Sequence, residues 1–181
     1  MKFKTIYADP PWYFNDKLDP TRHKPYSTLT VEELKDLPIE EISDTQAHLY
    51  LWSPNVLLRE ALEVMDSWGY TYKTYIVWLK ITARGKLWFG MGHYFRASTE
   101  ILLFGVRGSL KTRSKSLRNL IIAKKPSYHS GKPLEAYDLI EEASYPPRLE
   151  LFSRNVREGW ECIGYDVDGM DIRESIRRYI E

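Results

Sequence analysis

Two consecutive prolines, Pro10 and Pro11, follow an apolar run, Phe3, Ile6, Tyr7 and Ala8, close to the start of the chain. The run has the residue types of a buried strand. Proline has no N–H to give to a sheet ladder, so two in a row end the strand where they stand. The strand's tip is therefore Asp9-Pro10-Pro11-Trp12: a carboxylate, a rigid pair of carbonyls and a large aromatic face. In an open α/β sheet, the carboxyl ends of the strands are where ligands bind.

The rest of the chain alternates between the two periods. A long polar loop, 13–28, precedes a helix capped by Thr30, with Glu33 completing a capping box. Residues 47–52 read as a strand, followed by Ser53-Pro54 as N-cap and first helical residue. That helix ends at Gly69. Strands are expected over 70–79, 100–106, 117–123, 148–152 and 160–165. Helices are expected from Pro133 through Ala143 and from Ile172 to Ile180. Strands interleaved with helices predict an α/β layer sandwich with a mostly parallel sheet, in a single domain over 1–181.

Composition narrows the function classes. The formal net charge is only +1, so any nucleic-acid surface must be a local patch. One patch stands out: Arg107, Lys111, Arg113, Lys115, Arg118, Lys124 and Lys125 fall in a stretch with no acidic residue, suited to phosphate contacts. The single cysteine, Cys162, rules out an intrachain disulfide and a cysteine-based zinc site. A reducing compartment fits. No apolar run approaches bilayer-spanning length, and Met1-Lys2 leads straight into a strand, so neither a membrane span nor a secretory leader is expected. No metal-ligand cluster is evident, and no metal is expected.

The tetrapeptide has a chemical reading. The Asp9 carboxylate accepts hydrogen bonds and donates none, and the Pro10 carbonyl is a second, rigid acceptor. The Trp12 ring offers a stacking face to another flat ring. Two acceptors beside a flat ring suit an exocyclic amine on an aromatic base, such as N6 of adenine. A second stretch, Glu150-Leu151-Phe152-Ser153-Arg154-Asn155, puts an acid at a strand end, with Arg and Asn in the loop beyond it. Ribose hydroxyls want a carboxylate, and an amino-acid carboxylate wants cationic or amide donors. Lys132 stands just before a helix start, where it can reach the ligand crevice. Arg96 and Glu100 are spaced to pair across a loop-to-strand junction.

Together these motifs resemble the N6-adenine methyltransferases related to the catalytic subunit of the messenger-RNA adenosine methyltransferase, a family with bacterial and phage members. The resemblance runs from the first strand to Asp168-Gly169. It implies a Rossmann-like, S-adenosylmethionine-dependent fold in permuted order, with the catalytic motif first and the cofactor motif near the C-terminus. It implies catalysis at Asp9, Pro10, Pro11 and Trp12. The cofactor would be lined by Ala8, Asp9, Ser130, Lys132, Glu150, Leu151, Phe152, Arg154, Asn155, Tyr165 and Asp166. Longer relatives have a segment before the catalytic strand that contributes to the cofactor's adenine pocket; here either Tyr165 and Asp166 supply those contacts or the adenine end is more open. Substrate contacts are expected from Tyr26, Arg96 and Glu100, and from Lys111, Arg113 and Lys115 in the basic stretch. The acceptor is expected to be DNA ahead of RNA, in a cytoplasmic bacterial or phage enzyme. Self-association through 82–95 is a further expectation. The rival reading is a non-catalytic nucleic-acid-binding subunit, against which the intact tetrapeptide counts. A small-molecule methyltransferase on the same fold is a third.

Overall fold

The computed structural model describes residues 1–13, 28–92, 94–127 and 131–180. A seven-stranded sheet runs in the order β5-β3-β4-β2-β1-β6-β7. The strands are β1 (Phe3–Ala8), β2 (Ser43–Ser53), β3 (Thr71–Ile81), β4 (Thr99–Arg107), β5 (Leu120–Lys124), β6 (Arg148–Leu151) and β7 (Glu161–Ile163). Four of the six pairings are parallel. Only β4 runs against its two neighbours, β2 and β3. The result is a Rossmann-like α/β sheet with one reversed strand. The carboxyl ends of six strands therefore share one edge with the start of β4.

Local signals set most of the elements. Helix α1 (Val31–Lys35) carries the reciprocal capping box, with Glu33 N–H on Thr30 and the Glu33 carboxylate on Thr30 N–H. After α2 (Ile39–Ile42) and β2 comes a 3₁₀ turn over Asn55–Leu57, so the expected Ser53-Pro54 helix start is wrong. Ser53 ends β2 and Pro54 stays extended, and α3 (Leu58–Ser67) begins four residues later. Gly69 closes α3 at a φ of 80°. Its N–H bonds Asp66 O while Tyr70 N–H reaches Met65 O, a Schellman stop. Helix α4 is Glu135–Ala143, and α5 (Tyr165–Asp168) and α6 (Ile172–Arg177) end the chain. None of the described helices is long and apolar enough to cross a membrane.

Two cores fill the layers. Ile6, Ala8, Leu49, Leu51, Leu103 and Leu149 pack with α1, α3 and α6 on one face. On the other face Tyr7, Tyr50, Trp52, Trp78, Phe104 and Trp160 pack with Ala136 and Ile140 of α4. Register joins the two motifs. Tyr7 pairs with Glu150 and Ala8 with Leu151, so the ends of β1 and β6 lie side by side although some 140 residues separate them.

A buried polar row pins the far edge. His48 Nε2 lies 3.1 Å from Leu110 O, and a carbonyl only accepts, so the ring proton sits on Nε2. Nδ1 must then accept from Ser144 Oγ (2.8 Å), which leaves Ser144 Oγ to accept from Tyr50 OH (2.7 Å). Ser144→Ala removes the middle of this row and leaves two buried polar atoms without a partner. We expect it to cost roughly 2–4 kcal/mol, against about 1 kcal/mol for Tyr50→Phe, in urea denaturation.

Candidate active site

Asp9 stands where β1 stops, and the turn beyond it is tied down. Trp12 N–H bonds Pro10 O (2.9 Å), Leu29 N–H bonds Pro11 O (2.9 Å) and Tyr13 N–H bonds Leu29 O (2.8 Å). A carbonyl has two lone pairs, so among the described residues Pro10 O keeps one acceptor position. The Trp12 indole N–H donates to Trp52 O at the end of β2 (3.1 Å). Its ring is only 5 % exposed and belongs to the core. This corrects the stacking face expected of it: Trp12 anchors the turn from within. Among the described residues of the turn, the open ring is Tyr13, 50 % exposed.

Four charges alternate along the crevice. Lys132 Nζ lies 2.9 Å from Asp9 Oδ2 and 3.4 Å from Glu100 Oε2, and Lys80 Nζ lies 2.5 Å from Glu100 Oε1. The two ammonium groups also sit over indole faces, Lys80 on Trp78 and Lys132 on Trp52. Reversal of β4 explains the arrangement. Glu100 is the second residue of β4, paired with Trp78 just before Lys80, so it faces Asp9 across the edge.

The members of this row are held in different states. Burial alone would raise Glu100, but Lys132 and Lys80 bring its carboxyl below the ordinary value. Burial would lower Lys132, yet the carboxylates of Asp9 and Glu100 hold it above the usual lysine value. For Asp9 burial prevails. Its carboxyl is raised despite the pull of Lys132, with Glu100 raising it further and Arg154 opposing.

On the other side of Asp9, Glu150 ends a second polar cluster. Tyr137 OH donates to Glu150 Oε1 (2.8 Å), and Tyr7, Tyr137 and Trp160 meet edge to face around it. Arg157 lies 3.8 Å from the Tyr137 ring. Burial raises the Glu150 carboxyl to about 7, even though the hydroxyls of Tyr137 and Ser153 pull it down. Beyond β6 the chain turns sharply, with Phe152 at a φ of 62°, strained for a side chain of that size. A Cβ on Gly164 would stand 2.5 Å from Ser153 O, so the loop after β6 and the end of β7 approach as only glycine allows.

The structure sorts the expected site residues. Asp9, Glu100, Lys132, Glu150, Phe152, Arg154 and Asn155 gather on the carboxyl edge. Tyr165 and Asp166 are exposed just beyond β7. The side chains of Ala8 and Leu151 are buried in the core, so only their backbone can line a ligand. Arg96 does not pair with Glu100. It is exposed and lies 5.1 Å from the Phe89 ring. Tyr26 and Ser130 lie outside the described residues.

The basic loop is misplaced relative to expectation. Because β4 runs backwards, the loop leaving it starts at the opposite edge. Leu110 O meets His48, and Arg113 bonds Ala143 O and Glu141 O at the end of α4. Lys111, Arg113 and Lys115 thus stand roughly a strand length, about 17–20 Å, from Asp9. Residues unforeseen from sequence are Lys80 and Tyr137. A lysine ending an apolar strand was the available signal for Lys80.

Comparison with known proteins bears on this geometry. Residues 3–166 match the MT-A70 family. The chain belongs to that family. It is 32% identical over 180 residues to the human N(6)-adenosine-methyltransferase catalytic subunit METTL3, covering 94% of this chain and 29% of METTL3. The Medicago truncatula putative N(6)-adenosine-methyltransferase MT-A70-like is 30% identical, with 93% and 27% covered. The type II methyltransferase M.MunI of Mycoplasma sp is 28% identical over 190 residues, covering 92% of this chain and 78% of M.MunI. The chain thus spans under a third of the length of the METTL3 relatives.

MT-A70 methyltransferases use S-adenosylmethionine as methyl donor. The residues here fit it. The buried Glu150 carboxylate suits a ribose diol, Arg154 and Lys132 bring positive charge beside Asp9, and the tight approach at Gly164 shapes the loop into a cradle.

Glu150 gives a prediction that needs no ligand. Its folded-state pKa of about 7 lies above the ordinary carboxyl value of 4.5. The folded chain therefore binds the proton more tightly than the unfolded chain. The stabilising effect of protonation is full below about 4.5 and is lost as pH rises through 7. Glu150→Gln keeps the neutral form at every pH. The variant's melting temperature, relative to the parent, should gain roughly 2–6 °C between pH 5 and pH 8. A pH-independent difference would contradict the buried carboxyl.

Proposed function

We propose that this chain transfers a methyl group from S-adenosylmethionine to the N6 amine of adenine, with DNA as acceptor. The observation that carries the reading is the Asp9 carboxylate, half-buried at the strand end, beside a fixed Pro10 carbonyl and bonded to Lys132. Bound S-adenosylmethionine supplies an electrophilic methyl on its sulfonium. Everything else is positioning and electrostatics from the chain.

Asp9 and Pro10 O accept the two N6 hydrogens, which directs the nitrogen lone pair away from them. Nitrogen gains positive charge as it reacts, and a carboxylate whose pKa is raised is the better acceptor for the proton it then sheds. Lys132 holds Asp9 in place, and Glu100 and Lys80 hold Lys132. Glu150 takes the ribose hydroxyls, Arg154 and Asn155 the methionine end, and Tyr165 and Asp166 the adenine end. Tyr13 takes over the stacking once expected of Trp12, together with Tyr26.

DNA is the first choice because the chain is similar to the type II methyltransferase M.MunI along 92% of its own length. RNA is the second reading, since the residues for the chemistry are the same. A second copy, or a related subunit, would cover Leu87, Phe89, Met91, Tyr94 and Phe95. All five are exposed, from 64 % at Leu87 to 96 % at Tyr94.

Labelled S-adenosylmethionine offered to parallel DNA and RNA pools, followed by nucleoside analysis, tests the acceptor. Asp9→Asn should lower transfer on the order of 10²–10³-fold while calorimetry still detects cofactor binding. Transfer that survives Asp9→Asn would end this reading. Tyr13→Ala should raise KM about tenfold with little change in melting temperature. Trp12→Ala should instead unfold the chain more easily, by roughly 3–5 kcal/mol.

A further inference from the structure

A cavity of about 570 Å³ opens on the side of Lys132 away from the Glu150 cluster, between the ends of β3 and β5 and the start of α4. Its walls are largely apolar: Ile81, Ile122, Pro126 and Pro133 line it, with Lys124, Lys132 and Glu135 as the charged members. It adjoins the site already described, because Lys132 borders the cavity and holds Asp9. It is not on the cofactor's side, since Glu150 and the loop after β6 lie across Asp9 from it.

Its charge is not spent internally. Lys80 and Lys132 are neutralised by Glu100 and Asp9, but among the described residues neither Lys124 nor Lys125 has a carboxylate at ion-pair distance. Lys125 Nζ instead lies 5.3 Å from the Trp88 ring. Below the cavity, the edge strand β5 exposes Leu120 and Ile122. An apolar slot with Lys124 in its wall, a cation without a carboxylate at ion-pair distance among the described residues, suits a flat base with a phosphate attached. Its volume lies within the range of small-ligand pockets.

We propose that this cavity receives the nucleotide adjacent to the target adenine on the same strand, its base against Ile81, Ile122, Pro126 and Pro133 and its phosphate on Lys124. The assignment rests on the reading of Asp9 as the adenine-binding carboxylate. It makes β5, rather than the basic loop at the far edge, the track for the substrate strand.

The test uses single-stranded and duplex DNA 20-mers with one adenine in randomised flanks, with or without an abasic position on its 5′ or 3′ side. Methyl transfer and fluorescence-anisotropy binding are both measured, on the parent chain and on Ile122→Ser, Lys124→Gln and Lys115→Gln. For the parent chain, an abasic neighbour on one side should lower kcat/KM about tenfold, chiefly through KM. Ile122→Ser should erase most of that difference. Lys124→Gln should weaken binding and reduce the slope of log affinity against log salt by about one. Lys115→Gln should match the parent.

Asp9-dependent transfer that ignores the abasic neighbour and both cavity variants would overturn the cavity assignment and leave the proposed function standing. Transfer that survives Asp9→Asn would instead overturn the reading on which it rests. Binding that loses salt dependence with Lys115→Gln but not Lys124→Gln would place the strand at the far edge and refute the proposal. A change of molar mass in light scattering on Ile122→Ser would assign the face to a second copy, with the same consequence.

Discussion

The crevice depends on one arrangement: four charges, Asp9, Lys132, Glu100 and Lys80, in alternating sign across the ends of β1, β3 and the start of β4. Each would be costly there alone, because a charge removed from water needs a partner at hydrogen-bond distance. In sequence the four are spread over more than 120 residues, yet the register of the sheet places them within one edge. The row is unequal. Glu100 is served by two lysines and stays ionised, whereas Asp9 shares one lysine with Glu100 and its pKa is raised. The carboxylate at the strand tip is therefore the one whose charge is least fully compensated, and the one with the most to gain from new hydrogen-bond donors.

A second asymmetry separates Asp9 from Glu150. The two sit at the ends of adjacent strands, and the Asp9 carboxylate adds to the rise of the Glu150 pKa. Asp9 has an ammonium against it, while Glu150 has a phenol at 2.8 Å and a wall of aromatic rings. A phenol hydrogen bond offsets desolvation less than an ammonium does, so Glu150 reaches about 7. An amine and a diol, both donors, can thus be met by two carboxylates prepared in different ways.

Much of this was legible locally. The end of β1 followed from Pro10 and Pro11, the start of α1 from Thr30 and Glu33, and the end of α3 from Gly69. Each of these is decided by a missing N–H, a cap or a positive φ within a few residues. The gathering of Asp9, Lys132 and Glu150 was anticipated through family resemblance, not through spacing. What was not legible depends on neighbours far along the chain. Ser53-Pro54 has the residues of a helix start, but Ser53 is held as the last residue of β2 opposite Ile101. Trp12 has the chemistry of a stacking platform, but Trp52 O lies within reach of its indole N–H and the ring is drawn into the core.

The direction of β4 is the clearest case. Apolar content predicts that residues 100–106 form a strand but says nothing about which way it runs, because side-chain alternation is the same read from either end. Had β4 been parallel, Glu100 would lie at the far edge and Arg107 with the basic loop would follow at the crevice, as the charge pattern suggested. Reversed, the strand delivers its beginning to the site and its end away from it. One strand's direction thus exchanges a cationic loop for a carboxylate beside Asp9. The positive charge needed near the substrate must then come from elsewhere on the same edge: Lys80 and Lys132 are paired with Glu100 and Asp9 there, whereas Lys124, at the end of parallel β5, has no carboxylate at ion-pair distance among the described residues.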